Sequence, residues 1–144
     1  VVGGGGLISG IAGYIKSISP KTQIIGCLPE NSPVMYESIK AGRIIEMDVK
    51  HTLSDATAGG IEPDAVTFPL CQKYVDDYVL VTEEEISNSI VTLIKEQRQL
   101  HEGASAVPLA ALIKSADKYK GKNVVVVLSG ANISFDTLRK VILT

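Results

Sequence analysis

The chain has 144 residues, of which 45% are hydrophobic and 21% are charged, and its formal net charge is −2. This length supports one domain with a substantial core, and the composition is that of an ordinary globular protein. Lys and Arg are neither in excess nor clustered, and no apolar run reaches the roughly 18 residues of a membrane span, so we expect no nucleic-acid or membrane partner. Cys27 and Cys71 lie far apart without metal-ligand spacing, which favours free buried thiols in a reducing, cytoplasmic compartment.

The elements of the first half follow from apolar spacing and turn residues. Val1–Val2 has the pattern of the end of a strand, the glycines after it form a tight turn, and apolar residues at helical spacing predict a helix over 7–18. The β-branched run at 22–28 predicts a buried strand. Ser32 has the chemistry of an N-cap, so the next helix is predicted over 33–40.

The second half alternates strands and helices more regularly. Thr82 and Glu85 form the Thr-x-x-Glu pattern of a capping box, which predicts that a helix begins at residue 83. The run KNVVVVLS is apolar along its centre, which is typical of a strand buried on both faces. The predicted order is loop 43–62, helix 69–74, strand 77–82, helix 83–100, helix 108–117, strand 122–129 and helix 135–143. This alternation predicts an α/β fold with a parallel sheet covered by helices on both faces.

Four consecutive glycines, Gly3, Gly4, Gly5 and Gly6, separate the first strand from the first helix. Glycine costs about 0.5–1 kcal/mol relative to Ala in a regular element, so the run indicates a place where the backbone itself must approach something closely. At a strand-to-helix turn, N–H groups and the positive end of the helix dipole converge, and a phosphate binds well there. The alternative is a tight turn that only permits close packing. The glycine spacing fits neither the dinucleotide fingerprint nor the nucleotide P-loop.

Five motifs occur along the chain in this order: GGGGLISGIA, AGGIE, LCQKYVDD, HEGASAV and VVVLSGANISF. In order and spacing they resemble the fold type II pyridoxal-phosphate (PLP) enzymes, specifically the group of threonine dehydratase (threonine ammonia-lyase) and serine racemase. The resemblance covers essentially the whole chain. It implies that residues 1–144 are the C-terminal portion of the large PLP-binding catalytic domain, the second half of its α/β fold.

The resemblance also implies which residues contact the cofactor. The backbone N–H groups of Gly3, Gly4, Gly5, Gly6 and Leu7 would hold the phosphate of pyridoxal 5'-phosphate. Ser129 would form a hydrogen bond at the pyridine nitrogen, and a neutral hydroxyl there makes the ring a weaker electron sink, which favours prompt β-elimination. Gly60 would lie beside the ring and Glu102 near the cofactor. The alternative for Glu102 is a carboxylate at the end of a helix.

The reaction implied by the resemblance is the β-elimination of a small hydroxyamino acid. L-threonine would give 2-oxobutanoate and ammonia, as in isoleucine biosynthesis, and L-serine is the other expected substrate. The Schiff-base lysine of this family belongs to a Ser-Phe-Lys-like motif well upstream of the glycines, and neither that segment nor the small domain is found among the 144 residues. We therefore expect a fragment that has no catalytic residue and is inactive alone. We also expect a homo-oligomer, and in the case of a non-catalytic fragment an exposed apolar sheet edge at Val1–Val2 would favour its oligomerisation.

Two alternatives remain open from the sequence. One is another fold type II enzyme, either serine racemase or a dehydratase for a different hydroxyamino acid. The other is a non-catalytic phosphate-binding fragment. Leu28 and Val34 stand where metal-activated relatives place acidic ligands, and Glu30 is offset by two residues, so the resemblance predicts no metal site and favours the dehydratase over the racemase.

Overall fold

The computed structural model describes residues 1–143. Its helices are α1 (Gly6–Ile18), α2 (Val34–Ala41), α3 (Thr67–Tyr74), α4 (Glu83–Gln97), α5 (Gly103–Lys114) and α6 (Phe135–Leu143), and its strands are β1 (Ile25–Pro29) and β2 (Asp77–Val81). Short 3-10 helices cover Asp55–Thr57 and Ala116–Tyr119. Within residues 1–143, none of the helices combines the length and apolarity that a bilayer crossing requires.

The sheet is parallel and has a layer of helices on each face, as predicted. Ile25 lies opposite Asp77 at one end of the β1–β2 ladder, and Pro29 lies opposite Val81 at the other. Because side chains alternate along a strand, Cys27 packs with α4, α5 and α6 while Leu28 packs with α1, α2 and α3. These two apolar clusters form the core on either side of the sheet.

The predicted capping box is confirmed, but the predicted cap of α2 is not. Thr82 accepts a hydrogen bond from the Glu85 N–H, and the Glu85 carboxylate accepts one from the Thr82 N–H. At α2, the N-cap residue is Pro33, which has no side-chain donor or acceptor. The Ser32 hydroxyl instead accepts a hydrogen bond from the Gly59 N–H at 3.3 Å. A tertiary contact to a distant loop has therefore replaced the local cap.

The strand prediction over 122–129 is wrong. This segment is not in a strand, no hydrogen bond within residues 1–143 joins it to β1 or β2, and the side chain of Val125 is 89% exposed. A β-branched run fits a strand, but a strand also needs a neighbour to complete its ladder of hydrogen bonds, and local sequence does not specify that neighbour. Residues 1–2 likewise form no strand, although the Val2 N–H donates to the Cys27 carbonyl at 2.9 Å.

The exposed apolar edge predicted at Val1–Val2 is also wrong for Val2, which is only 1% exposed. Its side chain belongs to the core cluster that contains Leu28 and Met35. Helix α5 differs as well, because it begins at Gly103 rather than at Pro108 and contains that proline. Most of its residues are buried, and this burial offsets the roughly 3 kcal/mol that an internal proline costs a helix.

Candidate phosphate-binding site

The four glycines, called the glycine bend (Gly3–Gly6) from here on, lead directly into α1. Gly5 is the N-cap residue and has left-handed φ and ψ angles of 87° and −2°. Along α1, Ser9 is the first residue whose N–H donates to a backbone carbonyl, that of Gly5, at 3.0 Å. Among residues 1–143, no protein acceptor takes the N–H groups of Gly5, Gly6 or Leu7. Unpaired N–H donors and the positive end of a helix are the groups that favour an anion, so the bend is a candidate anion-binding site.

The glycines of the bend serve two different purposes. A Cβ atom at Gly3 would lie 3.1 Å from Cα of Thr57, and one at Gly5 would lie 2.8 Å from Cε of Met35. A Cβ atom at Gly4 or Gly6 would meet no other group of residues 1–143 within 4 Å, apart from the adjacent residues and the helix backbone. Close packing therefore accounts for Gly3 and Gly5, in agreement with the alternative interpretation that the glycines form a tight turn which permits close packing. The other two leave open space beside the unpaired amides, where an anion can approach the backbone.

Helix α3 lies beneath the bend. Its first residue, Thr67, donates a hydrogen bond from its hydroxyl to the Gly4 carbonyl at 2.6 Å. One turn later, Sγ of Cys71 lies 4.0 Å from the Gly5 carbonyl oxygen. Burial raises the pKa of Cys71 to about 11, so this thiol is neutral at physiological pH. The Cys71 side chain therefore adds no negative charge beneath the unpaired amides of the bend.

The loop that contains Gly60 lies beside the bend. Its 3-10 helix brings Thr57 against Gly3. Leu53 anchors the beginning of this loop, because its N–H donates to the Glu83 carboxylate at 2.6 Å, directly after the carboxyl end of β2. Gly60 itself is exposed and has open space where a side chain would be. The loop therefore occupies the edge of the sheet where the strands end, which is the usual ligand edge of α/β folds.

The loop that contains Ser129 is held by side chains from the start of α5. The hydroxyl of Ser105 donates to the Gly130 carbonyl and accepts from the Gly130 N–H, each at 2.6 Å. The carboxylate of Glu102, the N-cap residue of α5, accepts from the Asn132 N–H at 2.8 Å. The Ser129 side chain is exposed, and among residues 1–143 its hydroxyl has no hydrogen-bond partner. Hydrogen bonds therefore hold this loop in place, while the Ser129 hydroxyl is left available for a hydrogen bond with a ligand.

Contacts connect the glycine bend, the loop that contains Gly60, the start of α5 and the loop that contains Ser129 in one continuous series. The glycine bend contacts Thr57, the Leu53 carbonyl packs against Gly103 at the start of α5, and Glu102 beside it holds the Ser129 loop. Sequence reasoning missed Thr67 and Ser105. The HEGASAV motif included Ser105 without indicating its function, and no signal in the sequence pointed to Thr67, because 63 residues separate it from Gly4.

Acidic residues form no metal site in the part of the chain that the structure describes. No group of three or more His, Cys, Asp or Glu side chains is close enough to hold an ion within residues 1–143. A carboxylate oxygen of Glu30, the acidic residue two positions after Leu28, lies 3.5 Å from Nζ of Lys114. That ion pair directs Glu30 toward the end of α5.

The sequence matches the family described as pyridoxal-phosphate dependent enzyme over residues 1–130, and the chain belongs to that family. It is 46% identical over 131 residues to a biosynthetic L-threonine dehydratase of Halalkalibacterium halodurans. It is 43% identical over 141 residues to an L-threonine ammonia-lyase of Thermotoga maritima. These alignments cover 91% and 98% of the chain but 31% and 35% of the two relatives, so the chain spans about a third of their length.

Solved structures show the same fold. The processed form of threonine deaminase isoform 2 from Solanum lycopersicum superposes with a TM-score of 0.89 at 37% identity, over 97% of this chain and 41% of that one. Maize serine racemase superposes with a TM-score of 0.86 at 26% identity, over 99% of this chain and 45% of that one. The glycine bend also fits the phosphate of the family's cofactor, because it combines unpaired amides, a helix N-terminus and open space at Gly4 and Gly6.

Proposed function

We propose that the chain is part of an L-threonine ammonia-lyase that converts L-threonine to 2-oxobutanoate and ammonia by PLP-dependent β-elimination. The observation that carries the proposal is the glycine bend, whose amides are unpaired at the N-terminus of a 13-residue helix. The names of the relatives at 46% and 43% identity support the choice of reaction. One of those names is that of a biosynthetic enzyme, which supports a place in isoleucine biosynthesis.

In this proposal the chain binds and orients the cofactor. The backbone amides of Gly3 to Leu7 hold the phosphate, and the Ser129 hydroxyl accepts or donates a hydrogen bond at the pyridine nitrogen. When bound, PLP supplies an electron sink that stabilises the negative charge left at Cα after proton removal. Gly60 leaves room beside the ring. Glu102 acts near the cofactor by keeping the Ser129 loop in place, since its carboxylate accepts the Asn132 amide.

The lysine that removes the Cα proton comes, in this proposal, from outside the 144 residues. Lys16, the lysine nearest to the bend in sequence, forms an ion pair with Asp76 at 2.7 Å. Residues 1–144 then form the second half of the large catalytic domain. The relatives' greater length supports this assignment. The isolated chain should therefore not deaminate threonine.

The proposal also covers the substrates, the compartment and the oligomeric state of the enzyme. Its substrates are L-threonine and L-serine. Both cysteines are free and buried, which supports a reducing, cytoplasmic compartment. Exposed apolar side chains on α1 and in the 122–129 segment, among them Ile18 and Val125, favour association with further polypeptide and support a homo-oligomer.

Serine racemase is the second candidate, because two of the superposed structures carry that name and one of them, from Dictyostelium discoideum, is 32% identical with a TM-score of 0.81.

The test uses the longest natural polypeptide that contains the chain, purified with PLP. We expect 2-oxobutanoate from L-threonine, and replacement of both Gly4 and Gly6 by Ala should abolish it. Conversion of L-serine to D-serine without 2-oxobutanoate formation from threonine would replace the dehydratase by the racemase.

A further inference from the structure

The shortest side-chain hydrogen bond to the glycine bend comes from Thr67. Its Oγ1 donates to the Gly4 carbonyl at 2.6 Å, whereas the other side chains that reach the bend, Ser9 and Cys71, lie 3.3 and 4.0 Å from their carbonyl acceptors. The Thr67 hydroxyl makes no other hydrogen bond within residues 1–143, and α3 has no side-chain cap at its N-terminus. The hydroxyl therefore serves the bend and not its own helix.

This hydrogen bond determines which way the following amide points. The chain has no cis peptide bond in its described part, so the C=O of Gly4 and the N–H of Gly5 point in opposite directions across one planar peptide unit. When Thr67 holds the carbonyl toward α3, the Gly5 N–H points away from α3. The left-handed Gly5 then leads into the free amides of Gly6 and Leu7. A left-handed residue followed by helical residues brings successive N–H groups to one side.

A peptide between two glycines is easy to reverse, because neither residue has a Cβ atom that resists the rotation. Reversal of the Gly4–Gly5 peptide would replace one N–H donor by a carbonyl oxygen on the side where the anion binds. It would also break the 2.6 Å hydrogen bond with Thr67. The hydroxyl thus stabilises the orientation that attracts a phosphate over the orientation that repels it.

We propose that Thr67 is a positioning residue for the cofactor phosphate, which acts by holding the Gly4–Gly5 peptide with its N–H toward the anion. This inference rests on the proposed function, because it assumes that the glycine bend binds the phosphate of PLP. Thr67 does not touch the phosphate in this arrangement. It acts through the backbone, so its hydroxyl matters more than its methyl group.

The test compares Thr67→Val, which keeps the shape and removes the hydroxyl, with Thr67→Ser, which keeps the hydroxyl. Thr92→Val is the control, because within residues 1–143 the Thr92 hydroxyl donates only to the Asn88 carbonyl, in an exposed hydrogen bond on α4. Each variant is made in the longest natural polypeptide that contains the chain. The measurements are the dissociation constant for PLP, competition by inorganic phosphate, the 31P chemical shift of bound PLP and urea unfolding of the apoprotein.

We expect Thr67→Val to weaken PLP binding about tenfold, equal to about 1.4 kcal/mol, to weaken competition by inorganic phosphate similarly and to move the 31P signal. The dissociation constant of Thr67→Ser for PLP should lie within about twofold of that of the unsubstituted protein. Thr92→Val should bind PLP as tightly as the unsubstituted protein. Unchanged PLP affinity and an unmoved 31P signal in Thr67→Val would overturn the inference, whatever happens to its stability. A parent protein that binds neither PLP nor inorganic phosphate would instead overturn the proposed function.

Discussion

Replacing Gly5 and Gly6 separately by alanine distinguishes the packed side of the glycine bend from its open side. At Gly5 the φ angle of 87° is left-handed, which costs an alanine about 1–2 kcal/mol. The new Cβ atom would lie 2.8 Å from Cε of Met35 and 3.0 Å from Sγ of Cys71, and such overpacking costs about 1–3 kcal/mol. Together these costs predict that Gly5→Ala lowers the free energy of unfolding by about 2–5 kcal/mol.

At Gly6 neither cost applies. A Cβ atom there meets nothing within 4 Å, and the residue is the first of α1, so Gly6→Ala should change the free energy of unfolding by between zero and about 1 kcal/mol in the stabilising direction. The same methyl group occupies the space where we propose that the phosphate binds. PLP affinity should therefore fall at least tenfold in a protein that is as stable as its parent.

The assay is urea unfolding of the apoprotein combined with a PLP titration. Gly10→Ala is the matched control, because Gly10 lies on α1 one turn beyond Gly6 and a Cβ atom added there would also meet no other group of residues 1–143 within 4 Å. It should gain about 0.5–1 kcal/mol of stability and keep its PLP affinity. Two results would refute the reasoning: a Gly5→Ala protein within 0.5 kcal/mol of the parent, or a Gly6→Ala protein that binds PLP as tightly as Gly10→Ala.

Three further predictions concern the scaffold around the site. Thr82→Ala removes the capping box of α4 and should lower the free energy of unfolding by about 1 kcal/mol in urea. Burial alone would raise the pKa of Asp76, but hydrogen bonds from Lys16 and the Ile24 N–H outweigh it and hold that pKa below its ordinary value of about 3.9. Ionised Asp76 therefore stabilises the fold at pH values above its ordinary pKa, and this stabilisation is lost as the pH falls through its lower pKa in the folded protein. Asp76→Asn should consequently lower the free energy of unfolding at pH 7 and reduce how steeply stability falls in acid. Cys71, with its pKa raised to about 11, should react with iodoacetamide at pH 8 much more slowly in the native protein than in urea, as measured by mass spectrometry.

The first two of these predictions have a control variant on the same scaffold, and the third has a direct contradicting outcome. Thr92→Ala changes an exposed hydroxyl within α4 and should cost clearly less than Thr82→Ala. Asp117→Asn removes a carboxylate that has no ion pair within residues 1–143, so equal acid sensitivity of this variant and Asp76→Asn would contradict the assignment to Asp76. Native labelling of Cys71 at the rate seen in urea would show that the thiol beneath the glycine bend is not buried.

The sequence by itself determined the features that depend on neighbouring residues or on a short motif. The capping box of Thr82 and Glu85, the α/β alternation and the helix that follows the glycines all require only local information, and each of them is confirmed. The strand predicted before the glycines is not confirmed, because residues 1–2 are not in a strand. The resemblance likewise depended on short motifs in a constant order, and the family match over residues 1–130 confirms it.

Only the tertiary structure decided which groups surround the bend and which apolar segments are buried. Thr67 and Ser105 became important because packing places their hydroxyls against Gly4 and Gly130, 63 and 25 residues away. The run at 122–129 has every local property of a strand, yet Val125 is 89% exposed because the run has no ladder partner within residues 1–143. Hydrogen bonds between distant parts of the chain depend on how the helices pack on the sheet, and no local pattern encodes that packing.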